Sequence, residues 1–151
     1  MDGTRDELAG VVDLFGGLTR SELADALLEL AFRRGREVEE DAVDAEIEAA
    51  VEDYHLVPVD HDGDRLLAPG PVAFPSPPED ADDLPHILDV ERRHLDREEL
   101  AAAVRDRLES ELPDTEPGSE RARYLVDVTY DAEAWAPVDL ADVREELAAD
   151  A

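Results

Sequence analysis

The sequence predicts a mainly α-helical protein with a small β-hairpin, in which a winged-helix-like N-terminal half is followed by a helical C-terminal half. Three observations predict this fold class. Hydroxyl or acidic residues followed three positions later by Glu open several segments, which is the pattern of helix capping boxes. Apolar residues recur at helical spacing, most clearly over residues 43–54. One Asp-Gly pair separates two short apolar runs, which is typical of a hairpin.

The first two helices are marked by their starts and stops. A capping box at Thr4 opens a helix that runs to about Phe15. A second box at Thr19 opens the next helix, which ends at Gly35. Both boxes let side chains satisfy the free backbone amides of the first turn.

A third helix and a hairpin follow. The stripe within Glu39–Tyr54 places its apolar residues on one helical face. The runs Leu56–Asp60 and Arg65–Ala68 then read as two short strands joined by a turn. Three helices followed by a hairpin is the element order of a winged-helix domain, with the second and third helices as the helix-turn-helix pair.

The chain is expected to have three parts. Residues 1–68 form the winged-helix-like unit, residues 69–85 form a connector that holds six of the prolines, and residues 86–151 form a helical unit packed on the first. Pro-rich sequence favours an extended connector. Phe74 predicts that the first half of the connector docks on a surface, and the apolar run His86–Val90 fits a short strand.

The C-terminal unit is predicted from two clear helices and one ambiguous segment. Asp96 opens a helix to about Leu112, and Asp139 caps the last helix. Between them, residues 120–135 fit a strand by alternation and a helix by the i, i+4 spacing of other apolar residues. Helix is favoured, because the acidic and alanine residues at its end extend a helix naturally.

The composition indicates a salt-rich environment. The chain carries 42 acidic residues and 14 arginines, with no lysine and no cysteine, for a formal net charge of -28 over 151 residues. Such charge destabilises a compact state by self-repulsion. At molar ionic strength the Debye length falls to about 3 Å, so neighbouring carboxylates hardly repel each other. Halophilic adaptation is therefore the leading interpretation, and the alternative is an acidic protein of ordinary salinity.

The third helix argues against DNA binding by helix-in-groove docking. A recognition helix presents Arg, Lys, Asn or Gln to base edges, whereas the polar positions of this helix are eight acids. Those acids would repel the phosphate backbone, and molar salt would weaken the counterion release that drives binding. Nucleic acid is therefore not an expected partner.

Scarce basic and aromatic residues are the candidates for an interaction surface. Each also has a structural interpretation, since arginines offset helix-end partial charges or pair with carboxylates, and the tryptophan can fill the core between the last helices. The candidate residues are Arg33, Arg34, Arg36, Arg65, Phe74, Arg92, Arg93 and Trp135.

No catalytic residue, cofactor or metal ligand is predicted. The four histidines show no metal-binding spacing, the serines lie outside any nucleophile motif, and no phosphate-binding glycine loop occurs. The His61–Asp64 loop lacks the twelve-residue calcium pattern. No apolar run reaches the ~20 residues that span a bilayer, and the N-terminus does not resemble a signal peptide.

Several segments together resemble a family of small acidic haloarchaeal proteins of unknown function. They read as packing and turn motifs, and they are Val11–Thr19, Tyr54–Val57, Pro69–Pro75, Leu84–Val90 and Glu133–Asp139. The resemblance implies the class of organism and no activity, so no functional residue is carried over.

The expected function is a non-catalytic protein-interaction module in a haloarchaeal cytoplasm. Its connector around Phe74 and the Ile87–Leu88 run would help to bind a protein partner or a second copy of the chain. The alternative is a winged-helix-type transcription-associated factor that contacts DNA through Arg33, Arg34, Arg36 and the hairpin. An enzyme whose site forms only in the fold is a third class.

Overall fold

The computed structural model describes residues 2–78, 81 and 83–148, with side chains from Arg5 onward. These residues form seven α-helices, one short 3-10 helix and one two-stranded sheet. In chain order the elements are α1 Asp2–Phe15, α2 Arg20–Arg33, α3 Glu40–Glu52, β1 Leu56–His61, β2 Asp64–Pro69, α4 Leu84–Leu88, α5 Arg97–Glu111, the 3-10 helix Leu112–Asp114, α6 Glu120–Trp135 and α7 Ala141–Ala148.

The predicted fold class, mainly α with a small β-hairpin, is confirmed. Strands β1 and β2 pair antiparallel, with Leu56 opposite Pro69 and His61 opposite Asp64. Residues 120–135 form a helix throughout, because its buried residues recur every three or four positions from Ala122 to Ala132.

The strand predicted over His86–Val90 is wrong, since this run contributes to α4. Pro85 lies in the first turn of that helix, where its missing amide costs nothing. The amides of His86 and Ile87 donate to the carbonyl of Asp83 at 3.1 and 3.0 Å. Asp89 then ends the helix in a left-handed conformation, with φ at 54°.

The helix starts at Thr19 and Asp96 follow the capping prediction. The Glu22 amide donates to Thr19 Oγ1 at 3.1 Å, and the Thr19 amide donates to Glu22 Oε1 at 2.9 Å. The Asp96 amide donates to the carboxylate of Glu99 at 3.1 Å. Helix α1, however, begins at Asp2, so Thr4 lies inside the first turn, and its side chain lies outside the described residues.

The chain divides into two compact units at Leu95. In the first, α1 contacts α2 and β2, while α3 contacts α2 and β1. A single antiparallel bridge joins Leu18, between α1 and α2, to Leu67 on β2. The core residues of this unit include Val11, Phe15, Leu23 and Ile47. The predicted domain boundaries at residues 68 and 85 stay predictions.

The second unit begins at Asp96 and consists of α5, the 3-10 helix, α6 and α7. Helix α6 contacts both α5 and α7, and Leu108, Leu125 and Leu140 are fully buried. Thr129 is also buried, and its hydroxyl donates to the Val126 carbonyl at 2.6 Å.

Candidate interaction surface

The turn between α2 and α3 leaves two apolar side chains in solvent. Gly35 has φ at +68°, and the Arg36 amide donates to the Ala31 carbonyl at 2.9 Å. This is a Schellman ending, which satisfies carbonyls that the last helical turn leaves unpaired. The reversal leaves Phe32 78% exposed and Val38 39% exposed. Adjacent exposed apolar side chains indicate a contact surface more strongly than isolated ones.

A groove of about 380 Å³ opens beside this turn. We call it the α1–α3 groove, because α1, α2, α3 and the end of the connector line it. Its apolar lining includes Leu8, Leu27, Leu30, Val38, Ala42 and Pro78, and its charged side chains are Glu7, Arg34, Arg36 and Glu46. A more open concavity lined by Phe32 shares Val38 and Arg36 with it. The structure therefore provides a largely apolar depression beside the α2–α3 turn.

The three predicted arginines of α2 and the turn have different environments. Arg33 lies 3.6 Å from the carboxylate of Glu29 within α2, and Arg34 lines the groove. Arg36 is exposed and lines both concavities. It makes no ion pair with a residue that the structure describes. Its guanidinium is thus available to an external carboxylate.

The connector holds Phe74 in solvent on a fixed backbone. The side chain is 80% exposed, while the Phe74 amide donates to Asp6 Oδ1 at 3.0 Å. The Ser76 amide donates to the Asp6 carbonyl at 3.0 Å. Residues 66–78 carry no charged side chain, although 37% of the chain is charged. The connector backbone is bound to α1, as expected, but the side chain of Phe74 does not dock.

Arg92 caps the C-terminal end of α1. Its Nη1 donates to the carbonyls of Asp13 and Leu14, both at 2.9 Å. Those carbonyls carry the negative partial charge of the helix end, which a cation stabilises. Arg92 was a candidate interaction residue. Its contacts are instead explained by its bonds to the end of α1.

Arg93 joins the α1–α2 connection to the capping box of α2. Its Nη1 donates to Glu22 Oε1 at 2.7 Å and to the Gly17 carbonyl at 3.0 Å, and its own amide donates to the Phe15 carbonyl at 2.8 Å. The hydrogen bond from Arg93 is the main cause that lowers the pKa of Glu22. The same bond raises the pKa of Arg93. These contacts give Arg93 a structural role in the first unit.

Arg65 and Trp135 are not among the residues that line the groove. Arg65 is exposed on β2, with Nη1 3.4 Å from Asp60 Oδ1 across the hairpin. Trp135 is half-buried at the end of α6, and the Arg97 guanidinium lies 5.4 Å from its ring centroid. Trp135 is therefore neither fully buried in the core nor fully exposed as an interaction residue.

The outward side of α3 is anionic, as the sequence indicates. Its carboxylates are exposed or half-buried. Arg20 reaches Glu48 at 2.7 Å, and Arg5 pairs with Asp53 at the end of the helix. These two arginines offset only part of the charge, so the surface stays unfavourable for a phosphate backbone.

No group of three or more His, Asp or Glu side chains in the described ranges is placed to hold a metal ion. Within the same residues, no helix combines the length and apolarity needed to cross a membrane.

Ile87 belongs to the short apolar run that was expected to help bind a partner. Its side chain is 43% exposed.

Phe32 and Val38 were not predicted from the sequence as surface contacts. A signal for Phe32 does exist, because it lies nine residues after Leu23 and hence on the opposite side of α2. An aromatic residue on the polar side of an amphipathic helix has no core to enter. The groove gave no local signal, since its lining comes from segments far apart in the chain.

Comparison with curated proteins and with solved structures finds no match. A family described as of unknown function, DUF7109, matches residues 6–151. The match covers nearly the whole chain and both units. The match confirms the expected resemblance to a family of unknown function. It adds nothing about the source organism. The chain belongs to the DUF7109 family.

Proposed function

We propose that this chain is a non-catalytic protein-interaction module of a haloarchaeal cytoplasm. The observation that carries the proposal is the pairing of exposed Phe32, Val38 and Phe74 with an apolar groove, on a chain of net charge -28. Large exposed apolar side chains cost solubility unless a partner covers them. Aromatic anchors surrounded by apolar surface are the usual centre of a protein interface.

The distribution of polar groups supports halophilic adaptation. No carboxylate of the described residues is buried, so these carboxylates form a solvated coat over a core that is almost entirely apolar. In dilute buffer these carboxylates repel one another, whereas molar salt screens them. We expect helicity by circular dichroism to fall as KCl is dialysed away and to return when it is restored. Helicity and a melting transition that stay constant across this range would refute the halophilic interpretation.

A winged-helix-like first unit is also part of the proposal. The order α1, α2, α3, β1, β2 supports it. So does the bridge in which the Leu67 amide donates to the Leu18 carbonyl at 2.7 Å, because it adds the α1–α2 connection to the hairpin. On this interpretation the turn of the helix-turn-helix and its groove meet a protein instead of DNA.

Affinity capture in molar KCl tests the interaction. The wild-type chain is compared with Phe32→Ser and with Tyr130→Ser, which removes an aromatic side chain 58% exposed on α6. We expect proteins recovered by the wild type and by Tyr130→Ser to be lost with Phe32→Ser, since a central aromatic anchor contributes on the order of 2 kcal/mol or more. A wild-type chain that is monomeric and recovers nothing would refute the proposal, as would identical recovery by both variants.

A transcription-associated factor is the second candidate. The specific observation in its favour is the exposed cation Arg36 beside Arg33 and Arg34 in the turn of a helix-turn-helix order. Fluorescence anisotropy with genomic fragments in molar KCl separates the two functions. Binding that Arg33→Ala and Arg34→Ala abolish would favour DNA contact, and absence of binding would leave the protein-interaction function.

A further inference from the structure

We propose that the partner of the α1–α3 groove is a second copy of this chain, and that Phe74 of each copy enters the groove of the other. The inference rests on the proposed interaction function and names its partner. Its basis is that one unit carries both an exposed aromatic side chain and an apolar groove that this side chain does not fill.

Phe74 has the properties of a preformed anchor. Its side chain is 80% exposed, yet its backbone is tied to α1 by the two hydrogen bonds to Asp6. Pro75, Pro77 and Pro78 further restrict the connector. Ordering this segment on binding therefore costs little entropy, which favours association.

The groove has the matching properties. Its floor is apolar, with Leu8, Leu27 and Leu30 among its lining residues, and a volume of about 380 Å³ leaves room for an aromatic ring. Pro78 reaches the groove in the same copy, whereas Phe74 does not line it. The Phe74 ring of the same copy therefore leaves the groove open to the Phe74 ring of a second copy.

Charge favours the connector over other parts of this chain as the entering segment. Two copies carry the same net charge of -28, and most of their surface would repel on contact. Residues 66–78 have no charged side chain, so this segment can approach another copy without bringing its own carboxylates. Arg34 and Arg36 line the groove and offset the two glutamates there.

In a dimer with two-fold symmetry the contact would occur twice, and no groove would be left for a third copy. In an isologous dimer the same surface is used by both copies, so each contact between Phe74 and the groove occurs in duplicate. This doubles the apolar area buried and produces a dimer instead of an open chain of copies.

The first test is the concentration dependence of molecular mass in molar KCl, measured by sedimentation velocity. We expect the wild type to dimerise below about 100 µM, and Phe74→Ser to raise the dimer dissociation constant at least about 30-fold. Ala42→Glu places a carboxylate in the groove and should have a similar effect. Ala45→Glu adds the same charge to an exposed position of α3 outside the groove and should leave dimerisation within about threefold of the wild type.

The second test is complementation. A mixture of Phe74→Ser and Ala42→Glu contains one intact anchor and one intact groove, so it should form heterodimers although each variant alone is monomeric. A monomeric wild type at about 100 µM overturns the inference, and so does a mixture that stays monomeric. If the wild type is monomeric but Phe32→Ser still abolishes capture of another protein, this inference fails while the proposed function stands.

Discussion

Two arginine clusters of the first unit have similar sequences and different environments. Arg92 and Arg93 donate to the end of α1, to the α1–α2 connection and to the capping box of α2. Arg33, Arg34 and Arg36 lie around the α2–α3 turn, where Arg36 is exposed beside an apolar groove. The first cluster stabilises the fold, and the second leaves the exposed side chain of Arg36 beside the proposed interaction surface.

The difference depends on which part of the chain lies opposite each cluster. Arg92 bonds Asp13, which is 79 residues away, and Arg93 bonds Glu22, which is 71 residues away. Arg33 pairs with Glu29, one helical turn away. The local charge pattern is similar in both cases, so only the tertiary fold separates an arginine held by distant residues from one that pairs within its own helix.

Each cluster also adjoins a left-handed glycine, and replacing these glycines should give the largest contrast. A Cβ on Gly16, at φ +80°, would lie 1.9 Å from the Arg93 carbonyl oxygen, whereas a Cβ on Gly35, at φ +68°, meets nothing within 4 Å. Gly16→Ala should lower the free energy of unfolding by about 3 kcal/mol, because it combines left-handed strain with a backbone clash. Gly35→Ala should cost about 1 kcal/mol from strain alone.

Denaturant titration in molar KCl measures both glycine variants. Equal destabilisation by the two would mean that the packing of residues 92–95 on the α1–α2 connection does not contribute to stability.

Replacing one arginine of each cluster by alanine should give a smaller contrast in the free energy of unfolding. Arg93→Ala removes a charged hydrogen bond to Glu22 and one to the Gly17 carbonyl, at a site where both side chains are about a quarter exposed. We expect a loss of about 2 kcal/mol. Arg36→Ala should stay within about 0.5 kcal/mol of the wild type. The same denaturant titration measures the free energy of unfolding of both variants. Comparable losses would contradict the distinction between Arg93, which stabilises the fold, and Arg36, which is exposed.

The helix-end contact of Arg92 should contribute less. Arg92→Ala removes two hydrogen bonds to the last carbonyls of α1, and because this cap is exposed to solvent we expect a loss of about 0.5 to 1 kcal/mol. Arg123→Ala, at an exposed position of α6, is the matched control and should change stability by less than about 0.5 kcal/mol. Thermal unfolding monitored by circular dichroism measures both. A loss for Arg123→Ala as large as that for Arg92→Ala would show that the effect comes from removing charge and not from the cap.

Local features of the sequence predicted most of the secondary structure. The capping box at Thr19 and the Asp62-Gly63 turn act over a few residues, so their effects can be read from adjacent positions. The run at Ile87 was assigned wrongly, because an apolar pentapeptide fits a strand or a helical turn equally well. No neighbouring strand pairs with it in the described chain, and the Asp83 carbonyl stabilises the helical turn.

The candidate surface was predictable only in part. Arg33 and Phe74 were both identified from composition as candidate interaction residues, but the exposure of the Phe74 side chain was not predicted, because the connector was expected to dock there. The groove did not, because it needs Leu8, Leu27 and Pro78 to meet across three segments. Such a meeting is set by the packing of helices against each other, which periodicity within one helix does not determine.

The smallest expected effect is the pH dependence of the Arg93–Glu22 pair. Arg93 lowers the pKa of Glu22 from its ordinary value of 4.5, so the ionised carboxylate favours the folded state. A lowered folded-state pKa contributes stability that is present above pH 4.5 and is lost as pH falls through the folded value.

The neutral variant Glu22→Gln has no such contribution, while acidification protonates the other carboxylates of both proteins alike. The stability difference between wild type and Glu22→Gln should therefore be constant near neutral pH and shrink below pH 4.5, as measured by denaturant titration in molar KCl. A difference that does not change down to about pH 3 would mean that Arg93 holds Glu22 by geometry and not by charge, and the contrast between the two arginine clusters would lose its electrostatic part.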